Sequence, residues 1–383
     1  MTPRRGVARR LDGVSLSLIR QVFEQAPPGA INLGLGEPSF ATAAEILDSA
    51  HQALDGGRLG YTFNGGMAEL RELVATHSSG DRGADSVCIT VGANGGLLGS
   101  MLASVDAGDE VLVPDPGFPT YVAAATLAGA RPVRYGMDAA GGFRFSATAL
   151  RPLITPATRA VVINSPSNPT GHVIAETELA QLAQIADDED LMVISDEVYQ
   201  NFYYGERSPS YLDVSSRGLV VSSLSKTEAM TGWRIGWVVG QPEFIAAITA
   251  INQHSVTCAP TLSQHAALVA LGAGNKARAA RTRADFGCRR QLMLDTIDGE
   301  LNMRHIAPEG AFFVLIEAAP AGNSLEVALD ILDKAAVITV PGVAFGDQAA
   351  RFLRLSFAAS TADITEGLGR LAKYFEHRGP IGI

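Results

Sequence analysis

The chain has 383 residues, a formal net charge of -10, 47% hydrophobic residues and 18% charged residues. That composition supports a sizeable core and argues against disorder, and the acidic balance argues against general nucleic-acid binding, which needs a basic face. No apolar run approaches the ~18 residues that suggest a membrane span, and Cys88, Cys258 and Cys288 are spaced for buried thiols in a reducing compartment rather than for a disulfide framework or a zinc site.

In chain order, Met1 to Arg10 carries four arginines with no apolar stretch after them, so it reads as a basic arm and not as a secretory signal. Strand-type apolar runs follow at Val87 to Val91, Glu110 to Val113, Pro132 to Tyr135, Ala160 to Ile163, Leu191 to Ile194, Leu219 to Ser222 and Ile235 to Val239. Helix-like stretches such as Thr177 to Asp188 lie between them, and this alternation predicts an α/β fold with a doubly wound, mostly parallel sheet. A second rhythm starts near Asn275. A long helix, Lys276 to Ile297, precedes extended Ala311 to Ile316, helical Leu325 to Lys334, extended Val337 to Val340, extended Phe352 to Phe357 and helical Asp363 to His377. That segment reads as a smaller α+β domain, with a boundary placed by Gly272-Ala273-Gly274-Asn275.

Three strand ends carry chemistry. Asn168 follows the Ala160 to Ile163 strand within Ser165-Pro166-Ser167-Asn168-Pro169-Thr170-Gly171. Asp196 and Tyr199 follow the next within Ser195-Asp196-Glu197-Val198-Tyr199. Lys226 follows the third within Ser223-Leu224-Ser225-Lys226, with Gly232-Trp233-Arg234-Ile235-Gly236 just beyond. In open α/β sheets ligands bind past the carboxyl ends of the strands. An amine there suits a Schiff base with an aldehyde, while the hydroxyls and the arginine suit a phosphate. Pyridoxal 5'-phosphate (PLP) carries both groups. Taken singly, each residue has a plainer reading: a loop lysine, a surface arginine, a turn asparagine, a helix-capping aspartate. Gly92-Ala93-Asn94-Gly95-Gly96 follows a strand and opens a helix, so its amides can meet an anion, although the spacing fits neither nucleotide-binding glycine motif.

The ordered set resembles the class I/II aminotransferases, PLP enzymes of fold type I, and within them the aspartate-aminotransferase-related enzymes of bacteria and archaea. The resemblance rests on the three segments above, on Ile31-Asn32-Leu33-Gly34-Leu35-Gly36-Glu37-Pro38, on Gly60-Tyr61-Thr62 and on Arg354-Leu355-Ser356-Phe357, and it covers roughly residues 15 to 375. It implies one antiparallel strand in the large sheet. It also implies a large domain over 46–275 and a small domain made of 1–45 with 276–383.

As the resemblance has it, Lys226 is the Schiff-base lysine and the acid/base, Asp196 faces the pyridine nitrogen, and Tyr199 and Asn168 donate to the ring oxygen. Ala93, Asn94, Ser223, Ser225 and Arg234 hold the phosphate. Phe118 stacks on the ring, or serves as a core or lid aromatic. Tyr61 reaches the phosphate of a neighbouring subunit, or is a surface aromatic. Arg354, with Asn168 and the Gly36 backbone, binds the substrate carboxylate through the planar fork that lysine lacks.

The activity implied is ping-pong amino transfer between an L-amino acid and a 2-oxo acid, in a cytoplasmic homodimer with shared active sites. No metal, nucleic acid or membrane is expected to take part. A PLP-dependent β-lyase on the same fold and a non-catalytic effector protein are the rivals. The effector is disfavoured because the aminotransferase pattern begins by about residue 15. Two departures stand out. Glu228 occupies a position that is usually aromatic or apolar, with an altered active-site rim as the expected result. No clear second basic residue is present for a distal carboxylate, for which His254 and Arg20 are the candidate substitutes.

Overall fold

The computed structural model describes residues 8, 11–57, 59–78, 80 and 82–378; of the basic arm read at Met1 to Arg10, only Ala8 falls among them. Helix α1 (Leu18–Glu24) opens the fold, its first turn capped by Ser17, whose hydroxyl accepts the Arg20 amide. Strand β1 (Ile31–Asn32) and helices α2 (Ala44–Asp55) and α3 (Ala68–His77) follow. Strand and helix then alternate: β2 (Val87–Val91), α4 (Gly92–Ser104), β3 (Glu110–Asp115), α5 (Thr120–Leu127), β4 (Arg131–Gly136), β5 (Thr158–Asn164), α6 (Glu176–Asp188), β6 (Met192–Asp196), β7 (Leu219–Ser223) and β8 (Ile235–Val239). Three helices come next, α7 (Pro242–Ser255), α8 (Thr261–Leu271) and α9 (Asn275–Thr296). The chain closes with β9 (His305–Ile306), β10 (Phe313–Glu317), α10 (Ser324–Ala335), β11 (Val337–Ile338), β12 (Val340–Pro341), β13 (Phe352–Ser356) and α11 (Thr361–Arg378).

The large sheet has the order β2-β8-β7-β6-β5-β3-β4. Only β8 runs antiparallel to its neighbours, as the resemblance implied. Strands β3, β5, β6 and β7 are buried almost throughout, which explains their near-continuous apolar runs: helices cover both faces, so no polar face is needed. Helix α6 shows the matching period. Leu179, Leu182, Ala183 and Ala186 are buried on one stripe, and Glu176 and Glu178 sit in the first turn, where the helix dipole favours negative charge.

A four-stranded antiparallel sheet, β12-β13-β10-β9, and a parallel pair, β1 with β11, form the second body, so the N-terminal segment joins the C-terminal part of the chain. Two extended segments differ from their sequence reading. The run at Ala311 to Ile316 starts as a strand only at Phe313, because Ala311 takes a left-handed φ of 55°. The run Val337 to Val340 splits at Thr339, with its two halves serving different sheets.

Glycine controls how near α4 comes to the sheet. A Cβ on Gly96 would stand 2.9 Å from Val221 and 3.0 Å from Val238, and one on Gly236 would stand 2.7 Å from the Gly92 carbonyl carbon and 2.8 Å from the Ala93 nitrogen. The glycines thus let the N-terminus of α4 lie against β7 and β8.

Glu228 does not line the site rim. It is buried and accepts from Arg278 Nε at 2.9 Å and from Asn275 at 3.3 Å, while Arg278 also reaches Glu45 at 3.1 Å and the carbonyls of Val269 and Ala270. The pair fastens the start of α9 to the loop after Lys226. Removing the arginine strands a buried carboxylate, so Arg278→Ala is expected to cost roughly 3 kcal/mol in urea unfolding. Glu228→Gln, which keeps an acceptor, is expected to cost distinctly less.

Candidate active site

Strands β5, β6 and β7 are parallel and end on the same side, delivering Asn164, Asp196 and Ser223 to one edge. Around that edge lies a cavity of about 270 Å³. Its walls include Gly36, Ala93, Asn94, Phe118, Asn168, Asp196, Tyr199, Ser223, Ser225, Lys226, Arg234 and Arg354, so the structure gathers all but one of the sequence-derived candidates. The exception is Tyr61. It stands 88% exposed, away from the cavity of its own chain.

Lys226 donates from Nζ to the Gly36 carbonyl at 2.6 Å. Desolvation, aided by the charges of Arg354 and Arg234, pulls its amine down to about 8, within reach of the neutral form near physiological pH. Asp196 is buried, and burial pushes its carboxyl up to about 6. It accepts from the Tyr121 hydroxyl at 2.8 Å and from the Val198 amide at 3.3 Å. No helix begins at Asp196, so the helix-cap reading falls away.

Asn164 was missed from sequence. It pairs in register with Asp196, donates to the Asp196 carbonyl at 2.8 Å, and takes the Asn168 amide on its own oxygen at 2.7 Å. One side chain thereby fixes both the β6 end and the Asn168 turn. Tyr121 was also missed, although it lies one helical turn beyond Phe118, and the two rings meet edge-on at 5.9 Å. Tyr199 packs edge-on against Phe312 and Phe313, and burial raises its phenol.

Arg354 is 2% exposed. It donates from Nη1 to Asn168 Oδ1 at 2.7 Å and from Nη2 to the Gly34 carbonyl, and lies over Phe313 at 4.1 Å and Phe345 at 4.9 Å. Its Nε has no partner, and no carboxylate among the described residues pairs with it. Burial lowers its proton affinity to about 10. A buried, unbalanced guanidinium with an orphan N–H is an anion site. Because Asn168 Oδ1 faces Arg354, its amide NH₂ is the group left to donate toward the cavity.

At the other end, the first turn of α4 has no side-chain cap, and its Ala93 and Asn94 line the cavity with Ser223, Ser225 and Arg234. Arg234 holds a positive φ of 53° and donates to the Thr231 carbonyl at 2.7 Å. Its guanidinium occupies the room where a Gly92 Cβ would sit, 2.4 Å from Nη2. Uncapped amides, two hydroxyls and a guanidinium form a site for a phosphate dianion. Phosphate site, buried carboxylate and depressed lysine together fit PLP: an anchor, a partner for a protonated ring nitrogen, and an amine for an aldehyde.

Arg20 is tied to Glu24 at 2.8 Å on the surface, and His254 is exposed at the end of α7; neither lines the cavity. Among the described residues, no group of His, Cys, Asp and Glu is arranged to hold a metal, and no helix is long and apolar enough to cross a membrane.

The family model for "Aminotransferase class I and II" matches residues 28–371. The chain is 34% identical to a probable aspartate aminotransferase of Methanocaldococcus jannaschii, over 97% of this chain and 100% of that one. It is also 34% identical to aromatic-amino-acid aminotransferase 2 of Thermococcus litoralis, over 96% and 98%. A solved structure of the Thermus thermophilus aspartate aminotransferase with maleate superposes with a TM-score of 0.90 at 32% identity, over 97% of this chain and 100% of that one. The chain belongs to the class I and II aminotransferases, with PLP as its cofactor and fold type I as its architecture. The β-lyase alternative is not favoured.

Lys226, Lys276, Lys334 and Lys373 are the only lysines in the chain. In cofactor-free protein, acylation of Lys226 by an amine-reactive probe, followed by mass spectrometry, is expected to rise through pH about 8. The ordinary value of a lysine amine is ~10.4. A Lys226 inflection at the ordinary value would show that burial does not activate the amine.

Proposed function

We propose that the residues gathered at the cavity divide amino transfer among themselves as follows. When bound, PLP supplies the electron sink that makes the Cα proton of an amino acid removable. Lys226 carries the cofactor and then moves the proton, since its lowered affinity lets one amine both take and give it near neutral pH. Asp196, braced by Tyr121 and Asn164, holds positive charge on the ring nitrogen. Asn168 and Tyr199 donate to the ring oxygen. Arg354 grips the substrate carboxylate, and the α4 amides with Ser223, Ser225 and Arg234 hold the phosphate. The observation that carries this reading is Arg354: a buried cation with no acid, sharing one cavity with a depressed lysine.

The active unit proposed is a cytoplasmic homodimer. Leu59, Tyr61, Phe63 and Val256 are exposed apolar side chains. Asn64 donates to the Thr257 carbonyl and Thr261 to the Gly60 carbonyl, which brings these two segments side by side. An apolar surface of this kind suits a second copy, with Tyr61 passed to the neighbour's phosphate. The proposed domain division remains 46–275 against 1–45 with 276–383.

Arg354→Lys is expected to raise KM for the amino donor by roughly 10- to 100-fold, because a charge-assisted forked contact is lost. PLP affinity, read by absorbance titration, is expected to hold. An unchanged KM would remove Arg354 from carboxylate binding.

The shared site has its own test. Tyr61→Ala and Lys226→Ala homodimers are both expected to be impaired. When the two are mixed and allowed to exchange subunits, the hybrid holds one site with Lys226 from one chain and Tyr61 from the other. Recovered activity supports the crossing, and no recovery in a verified hybrid counts against it.

A further inference from the structure

The cavity wall assigns a substrate class. Three cations line it, Lys226, Arg234 and Arg354, and each is taken: by the reacting carbon, the phosphate and the substrate carboxylate. The one carboxylate, Asp196, is taken by the ring nitrogen. What remains of the wall toward the N-terminal segment is Ile19 from α1 and Leu35, with Val198 and Phe313 deeper in. Arg20, the neighbour of Ile19, points its guanidinium to Glu24 on the outer face of α1, at 60% exposure. A further charge beside the wall is negative: Glu37 accepts from the hydroxyl of Thr231, itself part of the wall, and acts on the Lys226 amine. Of the strap that would come from a second copy, the described side chains Leu59, Tyr61 and Phe63 are apolar or uncharged, and Arg58 beside them in the sequence lies outside the described residues.

From this charge inventory we propose that the amino donor is a neutral amino acid with an apolar side chain, seated against Ile19 and Leu35, and that aspartate is a poor donor. The proposal rests on the aminotransferase reading above and narrows it. Aspartate would carry its second carboxylate into a wall of Ile19 and Leu35 with no guanidinium or ammonium among the described lining residues left to meet it. Desolvating an unpaired carboxylate costs far more than an apolar side chain gains or loses in the same place. A leucine, methionine or phenylalanine side chain loses water against apolar neighbours and gains. Specificity of this kind depends as much on what the wall refuses as on what it binds. The proposal sets this chain apart from the relatives of Methanocaldococcus jannaschii and Thermus thermophilus, which are named for aspartate.

The test uses the PLP-loaded protein with leucine, methionine, phenylalanine and aspartate as donors, each without an oxo-acid acceptor. Loss of cofactor absorbance gives the rate, and mass spectrometry of the 2-oxo acid gives the product. At least one neutral donor is expected to exceed aspartate by tenfold or more in rate over half-saturating concentration. Binding of unreactive analogues gives a second readout: 4-methylpentanoate is expected to protect the protein against thermal unfolding at lower concentration than maleate does. Leu35→Arg supplies the missing cation, and its backbone amide stays bonded to Asn32, so the segment keeps its course. The variant is expected to shift the aspartate-to-leucine ratio tenfold or more toward aspartate.

Aspartate equal to or better than every neutral donor overturns this inference and leaves the aminotransferase reading standing. No transfer from any donor, with PLP demonstrably bound, overturns that reading and this inference with it. An unchanged ratio in both Leu35→Arg and Ile19→Arg removes these two side chains as the selective wall.

Discussion

Unbalanced charge in a buried cavity is the constraint on which the arrangement turns. Among the described residues Arg354 has no acid paired with it, Asp196 has no cation in contact although the Lys226 charge acts on it, and Lys226 is held where its charged form is penalised. Each of these works against the stability of the empty fold. They coexist because β6 and β7, which lead to Asp196 and Lys226, and β13, which carries Arg354, are held by their ladders and by apolar burial. Ligands carrying the complementary charges would relieve them, the cofactor at Asp196 and Lys226 and the substrate carboxylate at Arg354.

Rigidity at the site is built from polar contacts one step back from the chemistry. Asn164 links two neighbouring strand ends, Tyr121 crosses from α5 to Asp196, and Glu228 with Arg278 secures the loop beyond Lys226 to α9. Gly236 and Gly96 do the same by omission, since any side chain there would hold α4 away from β7 and β8 and carry its amides out of reach of a phosphate. The glycine run that looked weak as a motif is therefore explained by packing as much as by phosphate.

The large sheet was legible in the sequence because its strands are buried on both faces and announce themselves as apolar runs; Ile235 to Val239 needed no adjustment. The small body was less legible. Its turn at Ala311 depends on a left-handed backbone that alanine composition does not advertise, and the break at Thr339 depends on two different sheets claiming adjacent pairs of residues. The charged members of the site were legible because amine, carboxylate and guanidinium are rare in such company. Asn164 and Tyr121 were not, since a strand-end asparagine and a helix tyrosine are ordinary until their partners are seen. Glu228 was misjudged for a related reason: its partner Arg278 lies 50 positions away, and only the fold brings them together.

The two ends of the cavity differ in how they are made. The catalytic end comes from strand termini of the large sheet, with Arg354 added from β13. The wall that meets the substrate side chain comes from α1 and from the loop after β1, segments held by few backbone bonds and by the parallel pair with β11. Ile19 lies on α1 apart from Lys226, Asp196 and Arg354, while Leu35 stands between Gly34 and Gly36, whose carbonyls accept from Arg354 and Lys226. This separation accounts for a family in which chains of nearly equal similarity to this one are named for aspartate in one case and for aromatic amino acids in another. On the proposed reading the chemistry is fixed by the large sheet together with Arg354, and selectivity by the segments that carry Ile19 and Leu35.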